Sequence, residues 1–155
     1  MEYTSLDKMP WYNECNPLVE GIGFILVEII VAKQNTQTRV RVTIKRKENT
    51  GEGIGVDDCA KVHRALFPRL EALMSTQDVY LEVMSPGMER NVKNAAEFAL
   101  FINTPIRVWS REKADWILGK VISANSVSID IRLLENEEIV TILYNDIAKA
   151  KLLNT

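Results

Sequence analysis

The chain has 155 residues, of which 46% are hydrophobic and 26% charged, the proportions of an ordinary globular protein long enough to bury a core as one domain or two. Its formal net charge of −2 excludes the basic excess by which a protein grips nucleic acid mainly through phosphates. Residues 1–91 carry 11 Lys/Arg against 13 Asp/Glu and residues 92–155 carry 8 against 8, so a basic protein is as fitting a partner as RNA. The longest apolar run, residues 22–32, is interrupted by Glu28 and is too short to span a bilayer, and the polar first ten residues do not resemble a targeting segment. The expectation is a cytoplasmic protein.

The first elements read as follows. Residues 11–20 predict a short helix stopped by Gly21 and Gly23. Residues 24–32, rich in Ile and Val, predict a buried strand. Residues 38–45 alternate Val40, Val42 and Ile44 against Arg39, Arg41, Thr43 and Lys45, which predicts a partner strand with a basic outer face. Arg39 and Arg41 are candidates for a partner surface, weighed against a merely solvated face. The loop over residues 46–55 holds Gly51, Gly53 and Gly55 but lacks the spacing and the Lys-Ser or Lys-Thr of a phosphate loop. Asp57 and Asp58 then open a helix whose apolar stripe is Cys59, Val62, Leu66, Leu70 and Leu73, with Pro68 expected to kink or restart it.

Residues 79–84 alternate as a strand, and Ser85-Pro86-Gly87 stops it, because proline lacks a donor and glycine admits a positive φ. The turn presents Glu89 and Arg90. Arg90 is either a contact for a carboxylate or phosphate or the partner of an internal acid that stiffens the junction. Asn94 with Glu97 has the form of a capping box for a short helix carrying Phe98, Phe101 and Ile102. Five strands follow, over residues 106–109, 116–124, 127–134, 139–144 and 148–152, a spacing that predicts a small closed barrel. Around its first hairpin cluster Arg107, Arg111, Lys113, Trp116 and Lys120, a second candidate partner surface; Trp116 is read more readily as barrel core.

Catalytic and metal constellations do not assemble from this inventory. Two isolated cysteines, Cys15 and Cys59, and the single histidine, His63, do not make a zinc site of usual spacing. Ser85 lies outside a nucleophile elbow. The expectation is a protein without cofactor, metal or small-molecule substrate that acts by binding.

The segment LEVMSPGMER, residues 81–90, resembles the signature of the bacterial ribosome maturation factor RimP family. FILVE at 24–28, VDDC at 56–59 and NDIAKAKL at 145–152 fall in that family's order. Met84, Met88, Glu89 and Asn91 depart from its usual residues. The resemblance implies an α+β protein: an N-terminal KH-like domain of order αββαβ over residues 1–91, then a short helix and an Sm-like five-stranded barrel over residues 92–155. It implies a non-enzymatic factor that binds the free small ribosomal subunit and assists late maturation, through the basic ribosomal protein numbered twelve and nearby ribosomal RNA. The alternative is an RNA-binding regulator using the two domains directly, although the KH clamp loop GXXG is missing.

Overall fold

The computed structural model describes residues 1–48, 52–76 and 78–155. The chain forms two compact units, one of Asp7–Pro86 and one of Met1–Leu6 with Gly87–Thr155. Gly51 of the glycine-rich loop lies outside the described residues.

In the Asp7–Pro86 unit, helix α1 (Tyr12–Glu20), strands β1 (Phe24–Gln34) and β2 (Gln37–Arg46), helix α2 (Val56–Met74) and strand β3 (Val79–Met84) follow in the expected order αββαβ. The sheet order is β1-β2-β3, with β1 and β2 antiparallel and β2 and β3 parallel. Both helices pack on the sheet, α1 against β1 and α2 against β3. The core between them includes Cys15, Val19, Leu26, Val42, Ile44, Leu66 and Leu70. The β1–β2 register slips between Leu26 and Glu28, a bulge that leaves Leu26 and Val27 both buried. The bulge is held by α1: Tyr12 Oη donates to Leu26 O at 2.9 Å, and Leu26 N donates to Asn16 Oδ1 at 3.0 Å. Burial, with a smaller contribution from Glu20, pushes the Tyr12 hydroxyl up to about 12, so it stays a donor.

α2 runs unbroken through Pro68, where the sequence predicts a kink or restart. Its buried stripe is Val62, Leu66 and Leu70, while Cys59 and Leu73 are only half-buried. Gly55 occupies the N-cap position, and Asp58 reaches back to accept its N–H at 2.8 Å. The expected role of the paired aspartates thus falls on Asp58.

The second unit contains β4 (Glu89–Asn91), a 3-10 helix at Ala95–Leu100, β5 (Pro105–Ser110), β6 (Asp115–Ala124), β7 (Ser128–Leu133), β8 (Ile139–Leu143), a 3-10 turn at Tyr144–Asp146 and β9 (Ile147–Leu153). The predicted closed barrel of five strands is corrected to a six-stranded sheet of order β4-β9-β5-β6-β7-β8, antiparallel throughout. It is an open order that ends at β4 and β8. The sixth strand is the segment after Gly87, where Glu89 pairs with Leu153 and Asn91 with Lys151, so β9 has a neighbour on each side. Bulges between Trp109 and Ser110 and between Val121 and Ser123 bend the sheet over Phe98, Ile106, Val108, Ile129, Ile131 and Leu152. Met1–Leu6 joins this unit through Asn94, whose side chain accepts from Thr4 N at 3.0 Å and donates to Thr4 O at 2.8 Å.

Candidate interaction surfaces

The sheet of the first unit has one face under the helices and one face open. Alternation along β2 puts Arg39 and Arg41 on the open face, as predicted, and the parallel register sets Arg39 beside Tyr80 and Arg41 beside Glu82. The Arg39 guanidinium lies over the Tyr80 ring at 5.5 Å, and Arg41 Nε is 3.6 Å from Glu82 Oε2. With the exposed Ile30 these side chains line a shallow depression of about 180 Å³. The sequence signal for Tyr80 and Glu82 is their alternation with Val79, Leu81 and Val83; the parallel register that pairs them with the arginines is fixed only by the fold.

In the second unit Ser110, Asp146 and the intervening turn organise the cationic cluster. Ser110 Oγ donates to Asp146 Oδ2 at 2.6 Å and Glu112 N to Asp146 Oδ1 at 2.8 Å, while Arg111 N donates to Asp146 O at 2.9 Å. These bonds hold the exposed turn that carries Arg111 and Lys113. The Ser110 hydroxyl first, and then the Glu112 N–H, keep the Asp146 carboxyl below the usual carboxylate range. Because its folded-state pKa is depressed, the stability it supplies is complete above the ordinary value of about 3.9 and is lost as pH falls through the lower folded value. Denaturation curves at pH 6 and pH 3 will show a smaller acid loss in Asp146→Asn than in the wild type; equal losses would remove Asp146 from this role.

Arg107 and Trp116 come together on the outer face of β5 and β6. The guanidinium stands 4.9 Å over the Trp116 ring, and Trp109 meets Trp116 edge-to-face at 5.4 Å. Trp116 is half-buried on this face and not in the core, a correction to its reading as a core residue, because the hairpin pairs it with Trp109 and both point outward. Arg107 Nε is buried without a hydrogen-bond partner, and the guanidinium lies against the ring face. Trp116, Lys113, Leu118 and Leu134 line a groove of about 380 Å³. Lys120 lies two residues beyond Leu118, opposite Pro105 on β5 and Arg132 on β7. Lys149 and Lys151 on β9, opposite Trp109 and Arg107, extend the row. Sequence reasoning missed Trp109, Arg132, Lys149 and Lys151; the i, i+2 spacings of Arg107 with Trp109 and of Lys149 with Lys151 are signals that could have found them.

Around the signature, Ser85 and Pro86 end the first unit, and Gly87, at φ 85°, opens the second. Glu89 Oε2 accepts from Lys151 Nζ at 3.1 Å across the β4–β9 pair. Arg90 Nε lies 2.6 Å from Glu97 Oε1, with the two side chains 11% and 4% exposed. Glu97, three residues after the Asn94 cap as predicted, is thus turned to Arg90 through Oε1. Asn94 caps the 3-10 helix, accepting from Ala96 N at 3.1 Å.

Elsewhere, His63 stacks on Phe67 at 5.4 Å within α2. Cys15 and Cys59 are free thiols, and burial pushes Cys15 up to about 11, aided by Glu14 and opposed by Arg69. Among the described residues, none of the His, Cys, Asp and Glu side chains form a metal-ligating group of three. Among the described residues no helix is long and apolar enough to cross a membrane.

These features define a two-unit α+β protein whose cationic and aromatic side chains gather on open sheet faces. Residues 14–89 match the family model of the RimP N-terminal domain, and the chain belongs to the RimP family, a family of ribosome maturation factors.

Proposed function

We propose that this protein binds the free small ribosomal subunit in the cytoplasm and assists its late maturation, by binding and not by catalysis. The observation that carries the reading is the family match over residues 14–89. The partners on the subunit are a basic ribosomal protein, the one numbered twelve, and adjoining ribosomal RNA. A chain with net charge −2 suits a basic protein partner, and its arginine–aromatic faces suit local RNA contact. In this reading residues 1–91 act as a KH-like domain and residues 92–155 as an Sm-like one. Arg39, Arg41, Arg107, Arg111, Lys113, Trp116 and Lys120 supply contacts, and the signature Ser85, Pro86, Gly87, Glu89 and Arg90 is the motif in the chain where one domain gives way to the next.

The alternative, a direct RNA-binding regulator, draws on the Arg107–Trp116–Trp109 cluster, since aromatic rings flanked by cations stack bases. Co-sedimentation separates the two. The purified protein is expected to pellet with free small subunits and weakly or not at all with mature ribosomes, and Arg107→Glu with Lys120→Glu is expected to lower subunit binding about tenfold at moderate salt. Absence of wild-type protein from the subunit pellet would overturn the proposal. Tighter binding to naked ribosomal RNA than to the isolated basic protein would establish the alternative.

A further inference from the structure

We infer that the outer edge of β8 is a docking site for an extended basic polypeptide segment, which joins the six-stranded sheet as a further strand. The inference rests on the proposed function for the segment's source, the extended tail of a ribosomal protein; the edge and its chemistry are read from the fold.

β8 pairs with β7 through Ile139 opposite Arg132, Val140 opposite Ile131, Thr141 opposite Asp130, Ile142 opposite Ile129 and Leu143 opposite Ser128. Leu133 N donates to Glu138 O at 2.8 Å, and Tyr144 N donates to Val127 O at 3.0 Å. Hydrogen-bonded pairs alternate along an antiparallel ladder. Val140 and Ile142 therefore direct their N–H and C=O groups at β7, while those of Ile139, Thr141 and Leu143 point away from it. β8 is the last strand of the sheet, so these groups face the free edge. The edge lacks the lysine, proline or bulge by which sheets discourage pairing. Ile139 and Leu143 are each 54% exposed beside it.

Charge selects the occupant. Glu135, Glu137 and Glu138 stand exposed in the turn leading into β8, and Asp130 lies on the adjoining strand opposite Thr141. The nearby cations are Arg132 on β7 and, beyond the far end of β8, the Met1 ammonium, which donates to Tyr144 O at 2.7 Å and Ile147 O at 2.9 Å, and Arg111 beside Asp146, so the acidic character is concentrated at the Glu135–Glu138 end. Asp130 is kept below the usual carboxylate range by hydrogen bonds from Thr141 and then Ser123, and so remains an anion. RNA would be repelled here. An extended segment with basic residues and an apolar residue at alternate positions satisfies both the backbone groups and the charge, the usual logic of strand addition.

The test uses a synthetic octapeptide alternating arginine and valine, the full chain and two variants. Leu143→Pro removes one outward donor without touching the β7 ladder, and Leu143 already has the φ of −71° that proline requires. Glu135→Lys with Glu138→Lys reverses exposed charges. Peptide affinity is expected to fall about tenfold in each variant, with thermal melts confirming the fold. The amides of Ile139, Thr141 and Leu143 are expected to gain hydrogen-exchange protection on peptide addition. Affinity within twofold of wild type in Leu143→Pro, with those amides unprotected, would overturn the inference. So would a dimer of the free protein that Leu143→Pro abolishes, since the occupant would then be a second copy. Co-sedimentation keeps the two proposals apart: equal subunit binding by wild type and Leu143→Pro refutes the edge and leaves the proposed function standing. A wild type that takes the peptide on β8 but ignores small subunits refutes the function and the ribosomal source.

Discussion

Arg90→Ala will destabilise the unit formed by Met1–Leu6 and Gly87–Thr155 by about 3 kcal/mol, because it takes the cation away from a nearly buried carboxylate. Glu97 is 4% exposed, and its Oε1 is 2.6 Å from Arg90 Nε. Removing one member of a buried pair costs far more than replacing both, since the surviving charge keeps its desolvation penalty while losing its compensation. Arg90→Met combined with Glu97→Leu is therefore expected to recover most of the loss. Urea denaturation of the three proteins, wild type, Arg90→Ala and the Arg90→Met, Glu97→Leu double, gives the comparison. A single-variant loss below about 0.5 kcal/mol, the range of an ordinary surface substitution, would refute the structural role. Retained stability with lost subunit binding would instead make Arg90 a contact.

This pair shows where sequence reasoning stops. The strands were legible because Val40, Val42 and Ile44, or Val79, Leu81 and Val83, repeat with a period of two that only a half-buried strand demands. The stretch over residues 116–124, bounded by polar turn residues on each side, lies within one residue of β6. β4 was not legible, since three residues carry no period and only Leu153, Leu152 and Lys151 across the sheet define it. That unseen strand extends the sheet to six strands, whose order ends at β4 and β8 without closing. Asn94 and Glu97 satisfy a local capping pattern, whereas the ion pair of Glu97 with Arg90, seven residues earlier, comes through tertiary pairing. At the surfaces the cations Arg39, Arg41, Arg107 and Lys120 could be read from alternation. Trp116 stood with Arg107 in the first hairpin, whereas Tyr80 beside Arg39 depended on the parallel register, which the chain sets only when it folds.

Gly119→Ala will cost the second unit about 3 kcal/mol or more, the upper range for forcing atoms into a packed site. A methyl at Gly119 would overlap the carbonyl oxygen of Arg132 and lie 2.6 Å from Ile131 Cγ2 and 2.9 Å from the Arg132 carbonyl carbon. Two of those three atoms are backbone, so rotamer changes cannot clear them. Moving β7 away would break its pairing with β6 at Gly119–Leu133 and Lys120–Arg132 and would pull the fully buried Ile131 from the core. The missing side chain is thus what lets two strands of a strongly bent sheet approach this closely. Gly53→Ala provides the control, because nothing lies within 4 Å of a methyl there, and it is expected to stay within about 0.5 kcal/mol of wild type. Hydrogen exchange should localise the Gly119→Ala damage to amides of β6 and β7. A Gly119→Ala protein within about 1 kcal/mol of wild type, with those amides still protected, would show that the sheet can open at this point at small cost and would refute the close approach as a structural requirement.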